Sequence, residues 1–161
     1  MSGRPLRSRG YTLVELLVVL AVLGVLAAMA MPLAEITAQR ERERELQRAL
    51  WEIRDAIDAW KTAREQGAIA GSVDTPPYPP SLVALTQPIV DARATASGRV
   101  LRFLRSVPRD PFADPSLPAE QTWALRSYAS EADRPRPGAD VYDVHSASDR
   151  LGLNGIPLSQ W

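Results

Sequence analysis

The feature that most constrains this chain is an uncharged run from Leu16 to Ala34, directly preceded by Glu15. The run is built of leucine, valine, alanine and methionine and is broken only by Gly24 and Pro32. About 19 such residues in a helix can cross a hydrocarbon core of roughly 30 Å. A cleavable secretory signal has a shorter apolar stretch and a small-residue cut site. We therefore expect a single membrane-spanning helix.

The residues ahead of this run set its orientation. Arg4, Arg7 and Arg9 precede it without any acidic residue. The positive-inside rule then places the N-terminus in the cytoplasm and everything after Leu33 on the far side of the membrane. A simple single-pass anchor would satisfy these observations on its own.

The order of residues around the run is more specific than an anchor requires. The stretch RGYTLVELLVVLAVLGVLAAMAMP resembles the type IV prepilin signature, in which a short basic leader ends in glycine and precedes an aromatic residue, Thr-Leu, a glutamate and an apolar run. The resemblance implies that a prepilin peptidase cleaves between Gly10 and Tyr11 and methylates the new amino group. Residues 1–10 would be the leader.

Glu15 needs a partner, because a carboxylate at the centre of a bilayer costs about 2.5–3.5 kcal/mol on insertion scales. The resemblance implies that it pairs with the terminal amine, here that of Tyr11, of a neighbouring subunit and so sets the register of a filament. An interfacial carboxylate among lipid headgroups is the alternative. Gly24 and Pro32 weaken the helix between them. The resemblance implies partial unwinding there during assembly, and a simple bend is the alternative.

Beyond the membrane, the pattern predicts that the helix continues to about Gln66, with Gly67 at its C-cap. An apolar stripe recurs at spacings of 4, 3, 4 and 3 residues, with alanines beside it, which is the pattern of an amphipathic helix. The alternating RERERE segment is expected to be solvated. The stripe consists of Leu46, Leu50, Ile53, Ile57 and Trp60, flanked by Ala49, Ala56 and Ala63.

The sequence pattern after the long helix predicts short strands and loops. TPPYPP forms a loop because proline cannot continue a helix or a central strand. Two strand candidates, Thr122–Ser130 and Asp140–Ser148, flank a DRPRPG hairpin loop. The closing loop is expected to be anchored by Leu151, Ile156 and Trp161. The predicted fold class is α+β, with a small antiparallel sheet packed on the second half of a long N-terminal helix.

The predicted organisation has four parts: a leader (1–10), a transmembrane and assembly helix (11–34), an amphipathic helix (35–66) and a periplasmic globular region (67–161). Its Pro-Arg-Asp-Pro-Phe turn, its Ser-Tyr strand end and its glycine-bearing tail resemble those of the G-type major pseudopilin of type II secretion. The absence of cysteine fits that resemblance, because adhesive type IV pilins commonly close their C-terminal loop with a disulfide.

The resemblance implies an inner-membrane subunit that polymerises with itself and with minor pseudopilins on an inner-membrane assembly platform. The resulting periplasmic pseudopilus helps to export folded proteins. A type IV pilin or competence pilin, acting in adhesion, motility or DNA uptake, is the alternative. The balance of 19 basic and 19 acidic residues argues against a nucleic-acid binder.

The resemblance also implies one calcium ion in the terminal loop. Asp149, Asn154 and Asp143 are the oxygen donors expected to hold it. The acidic cluster that usually precedes the final tryptophan in that family is replaced here by IPLSQ, which leaves these residues open to being ordinary loop positions. His145 is the only histidine, and no catalytic constellation accompanies it, so an enzyme is not predicted.

Overall fold

The computed structural model describes residues 11–72, 75–94 and 98–161, and the side chains of residues 29–33 are outside this description. The predicted leader, including Gly10, therefore lies outside the described residues. One helix, α1, runs from Leu13–Glu65. Two compact units divide it, one ending at Gln39 and the other beginning at Arg40. We call residues 13–39 the proximal half of α1 and residues 40–65 the distal half.

Four short strands follow α1: β1 (Ile89–Val90), β2 (Val100–Leu101), β3 (Trp123–Arg126) and β4 (Asp143–Ser146). β1 pairs with β2 and β3 pairs with β4, both antiparallel, in two separate two-stranded sheets. Single turns of 3-10 helix complete the chain at Val83–Thr86, Ala119–Gln121 and Leu158–Gln160. The α+β prediction is confirmed, with the long helix and antiparallel strands as expected.

The strands differ from the prediction in two ways. The β1–β2 pair was not predicted, because two-residue strands are too short to show an alternating pattern. β3 and β4 lie inside the predicted ranges but are shorter. The chain leaves β3 after Arg126, where the carboxylate of Asp140 accepts hydrogen bonds from the Tyr128 amide at 2.8 Å and the Ser127 hydroxyl at 3.1 Å. These bonds replace the ladder that longer strands would have made.

The core of the second unit is built on the predicted stripe of α1. Leu46 and Ile53 are completely buried, and the other stripe residues are buried as well. At about 1.5–3 kcal/mol for each large apolar side chain, this burial is the main stabilising contribution of the distal half. The residues that cover the stripe include Leu82, Leu85, Leu104, Trp123, Val141, Val144 and Leu158.

The end of α1 confirms the prediction for Gly67. Its φ of 75° lies in the left-handed region that favours glycine. The Gly67 amide donates to the Arg64 carbonyl at 3.0 Å, and the Ala68 amide donates to the Ala63 carbonyl at 2.8 Å. This is the Schellman arrangement, which satisfies carbonyl groups left open at a helix end.

The Pro-Arg-Asp-Pro-Phe turn is fixed to β4 by Asp110. This side chain is 2% exposed and accepts hydrogen bonds from the Phe112 amide at 2.7 Å and from the Ser146 hydroxyl at 2.5 Å. The Asp110 amide in turn donates to the Thr122 hydroxyl at 3.1 Å. A buried carboxylate is tolerated only when its oxygens are satisfied in this way, so the turn and the second sheet form one polar network.

Candidate functional site

Residues 11–28 form an exposed apolar surface on the proximal half of α1. Tyr11 is 76% exposed, and every large apolar side chain in this segment is about half exposed or more. Monomeric soluble proteins rarely present continuous apolar surface of this extent, and it marks a contact with membrane or with protein. The side chains are those of Tyr11, Leu13, Val14, Leu16, Leu17, Val18, Val19, Leu20, Val22, Leu23, Val25 and Leu26.

Thr12 fixes the start of α1. Its hydroxyl oxygen accepts a hydrogen bond from the Glu15 amide at 3.2 Å, while its carbonyl accepts one from the Leu16 amide at 3.2 Å. A threonine cap followed three residues later by glutamate is the capping-box pattern. The capping box was not predicted, although the motif is readable in the letters TLVE.

The cap leaves the Glu15 carboxylate available. Only the backbone of Glu15 takes part in the observed capping bond, and within the described residues its carboxylate has no hydrogen bond or ion pair. A negative charge in the first turn of a helix interacts favourably with the helix dipole. Glu15 therefore has a role in its own subunit as well as the predicted role between subunits, and the latter stays a prediction.

The predicted weak segment lies within α1, which continues through Gly24. A β-carbon added at Gly24 would meet nothing within 4 Å, so packing inside this chain does not require glycine at that position. The side chain of Pro32 lies outside the described residues. Local unwinding between these two positions stays a prediction.

Among the described residues, no helix has an apolar stretch that is long enough to cross a membrane. Residues 29–33 belong to the predicted span, and their side chains are outside the description.

The three predicted calcium ligands lie in different environments. Asp143 is in β4, where its Oδ1 accepts hydrogen bonds from Arg54 Nε and from the Val144 amide, both at 2.8 Å. Asn154 Oδ1 accepts one from the Ile156 amide at 3.0 Å, and Asp149 is exposed. In the described parts of the chain, no group of three or more His, Cys, Asp or Glu side chains could hold a metal ion. Oδ1 of Asp143 is therefore occupied by these two donors, and the calcium site stays a prediction.

The anchors of the C-terminal loop differ from those predicted. Leu151 and Ile156 are 62% and 46% exposed, so the expectation that they anchor the loop was wrong. Leu158 is completely buried instead, because the bridge between Leu151 and Pro157 turns the chain and points the following residue into the core. Trp161 is partly buried against that core, as expected.

Two charged residues of α1 reach this loop and were not singled out from the sequence. Glu43 belongs to the RERERE segment, yet it is only 9% exposed and its Oε1 accepts a hydrogen bond from the Leu153 amide at 2.8 Å. Arg54 contacts β4 and Trp161. The expectation of a solvated charge run holds for Glu41 and Arg44, whose ion pair is exposed, but not for Glu43.

His145 lies in β4 opposite Ala124. Burial lowers the pKa of its imidazole, Asp143 opposes this shift, and the positive charges of Arg54 and Arg126 add to it. The neutral form is therefore favoured in the folded protein. No nucleophile is hydrogen-bonded to this histidine within the described residues.

Residues 5–31 match the family model of the prokaryotic N-terminal methylation motif. The matched segment includes Gly10, Tyr11, Glu15 and Gly24 and ends one residue before Pro32. This motif is a type IV pilin-like signal, which is typical of proteins that are membrane-anchored, processed by prepilin peptidase and assembled into filaments. Comparison with curated proteins and with solved structures gives no match.

Proposed function

We propose that this chain is a pseudopilin subunit, most similar in design to the major G-type subunit, of a type II protein secretion system. After cleavage between Gly10 and Tyr11, the subunit is N-methylated and held in the inner membrane by its apolar helix. It then polymerises into a periplasmic pseudopilus that helps to move folded proteins outward. Its partners are further copies of itself, minor pseudopilins, the prepilin peptidase and the inner-membrane assembly platform.

The observation that carries this proposal is the exposed apolar surface at residues 11–28, located inside the methylation motif. Burial of apolar area contributes about 25 cal/mol per Å². A segment with this many exposed leucines and valines is therefore stabilised strongly by lipid before assembly and by neighbouring helices after it. The same side chains serve both states, because both surroundings are apolar.

Charge pairing adds direction to this apolar association. Cleavage creates an ammonium group at Tyr11, four residues before Glu15. A buried charge is expensive unless it is paired, and breaking such a pair typically costs about 3–5 kcal/mol. Sliding one apolar helix along another changes little in the apolar area that the two helices bury. The Tyr11–Glu15 pair between subunits would therefore select one stagger.

The second unit supports the G-type proposal over an adhesive pilin. The unit has no cysteine with which to close its terminal loop. Its Pro-Arg-Asp-Pro-Phe turn, one of the elements that resemble a G-type pseudopilin, is held to β4 through the hydrogen bond between Asp110 and Ser146. A type IV pilin or competence pilin shares the N-terminal features, and genetic tests distinguish these functions.

Mass spectrometry of the protein extracted from membranes tests the proposal at its first step. We expect the mature N-terminus to be N-methylated Tyr11. Recovery of only the uncleaved chain from cells with an active prepilin peptidase would contradict the proposed processing.

Deletion of the gene then separates the two filament systems. A pseudopilin mutant should accumulate folded exoproteins in the periplasm and keep its surface motility and DNA uptake. Normal secretion together with loss of motility or DNA uptake would assign the chain to a pilus.

A further inference from the structure

Arg54 connects three parts of the second unit. Its Nε donates a hydrogen bond to Asp143 Oδ1 at 2.8 Å, and its Nη2 donates to the backbone oxygens of Val144 and Trp161, each at 2.9 Å. The bond to Trp161 joins residues 107 positions apart. A single planar cation thus links the distal half of α1 with β4 and with the C-terminal loop, which we define as residues 150–161.

The oxygens that surround Arg54 are of the kinds that calcium prefers. A hard cation such as calcium binds carboxylate oxygens together with backbone carbonyl oxygens. Here one side-chain carboxylate oxygen and two backbone oxygens converge on a guanidinium. This group keeps its charge throughout the physiological pH range and offers five N–H donors in a fixed geometry. A second cation beside it would meet electrostatic repulsion.

The C-terminal loop is also closed by its own backbone. The Gly152 amide donates to the Ile156 carbonyl and the Leu158 amide donates to the Arg150 carbonyl, each at 2.9 Å. A β-carbon at Gly152 would lie 2.6 Å from Cζ2 of Trp161, so the indole ring packs directly on this glycine. The loop is therefore closed by backbone hydrogen bonds and by packing, in the region where metal coordination was predicted.

Glu43 holds the other side of the same loop. Its carboxylate accepts a hydrogen bond from the Leu153 amide at 2.8 Å and is almost fully buried. The distal half of α1 thus binds the loop at two points: Glu43 accepts from a backbone amide of the loop, and Arg54 donates to a backbone oxygen of the loop. We call Glu43 and Arg54 the clasp.

We propose that Arg54 takes the place of a calcium ion in this chain. With Glu43 as its counterpart in the clasp, its guanidinium holds the C-terminal loop on α1, and the loop keeps its structure without a bound metal.

Hydrogen–deuterium exchange of the full chain in detergent, followed by mass spectrometry, tests this proposal. Wild-type protein should show the same slow exchange across residues 150–161 in millimolar calcium and in EGTA. Arg54→Gln removes the charge and most donors, and it should speed exchange in this segment at least about tenfold in both buffers. Arg48→Gln is the matched control, because Arg48 lies on the same helix but its contacts, with the Arg44 carbonyl at 3.4 Å and with Glu41 at 3.8 Å, are exposed. It should exchange like the wild type.

Two results would overturn the proposal. In the first, residues 150–161 of the wild-type protein lose their protection from exchange in EGTA, which would show that bound calcium holds the loop. In the second, Arg54→Gln stays as protected as the wild type without calcium. If Arg54→Gln instead exchanges fast over residues 46–60 as well, it has unfolded, and the wild-type comparison alone then decides: equal protection supports the proposal and unequal protection refutes it.

Discussion

The two halves of α1 contain similar apolar side chains in opposite surroundings. In the proximal half, Leu17 is 56% exposed and Leu20 is 63% exposed. In the distal half, Leu46 and Leu50 are 0% and 2% exposed. The intrinsic helix propensity of leucine is the same at all four positions. The halves differ in what covers them, because later residues of the second unit pack on the distal half.

This comparison shows which part of the molecule is complete by itself. The distal half receives its partners from the same chain, so its stability is a property of one subunit. The proximal half has to obtain its partners from lipid or from other subunits, so its stability depends on concentration and assembly state. Substitutions in the two halves should therefore affect different measurements.

The largest expected effect comes from Glu15 in the proximal half. Glu15→Val should leave membrane insertion, cleavage and folding of the second unit unchanged but abolish filaments. Loss of about 3–5 kcal/mol per docking event corresponds to at least about a hundredfold weaker addition of each subunit. Sheared filaments can be counted by electron microscopy, with an immunoblot for processed subunit as the measure of folding and cleavage.

Glu15→Gln is the matched control, because glutamine keeps the capping-box pattern and removes only the charge. Failure of both variants to assemble would assign the defect to the charge. Normal filaments from the glutamine variant would show that assembly does not need the charge of Glu15, and the charge-pairing role would be withdrawn.

A pair of leucine substitutions tests the comparison directly. Leu50→Ala should lower the free energy of unfolding of the second unit by about 2–5 kcal/mol, because it removes a buried side chain and leaves a cavity. Leu17→Ala should change it by no more than about 0.5 kcal/mol, as expected for an exposed position. Thermal unfolding in detergent, followed by the fluorescence of the buried Trp60 and Trp123, measures both. Equal destabilisation by the two variants would mean that the halves are not independent.

The smallest expected effect concerns His145 in the second unit. Its pKa in the folded protein is below the ordinary value of 6.5, mainly because of burial. The folded state therefore binds fewer protons than the unfolded state as pH falls through this region. The contribution of His145 to the free energy of unfolding is complete above about pH 6.5 and is lost progressively below it.

Unfolding measured between pH 7.5 and 5 should thus show a decline in stability that His145→Gln reduces. The proximal half contains no histidine and should contribute nothing to this difference. Identical pH profiles for the variant and the wild type would indicate that another group is responsible.

The sequence was a good guide where a pattern repeats. Helical periodicity located the buried stripe of α1, and a glycine after the last periodic residue located its C-cap. Alternating segments around a proline-rich turn located β3 and β4. Each of these signals depends on local spacing, which a single sequence displays.

The contacts of Glu43 and Arg54 could not be predicted from local spacing. Both lie on a helix face that reads as charged, and their partners Leu153 and Trp161 are 110 and 107 residues away. Spacing along the chain does not indicate that the C-terminal loop returns to this face. Likewise, Leu158 could not be preferred to Leu151 and Ile156 as the buried residue, because all three are isolated aliphatic side chains in a loop.

The Thr12 cap has a consequence for how a peptidase meets this chain. Because the cap makes α1 begin at Leu13, Tyr11 lies outside the hydrogen-bonded turns of the helix. A peptide bond within a helix has to be unwound before a protease can hold it in an extended form, and exposed, non-helical segments are the preferred sites of cleavage. In the proposed cleavage Tyr11 supplies the new N-terminus, so the enzyme would not need to melt the first turn of α1. The helix that anchors the subunit can then stay intact while the leader is removed.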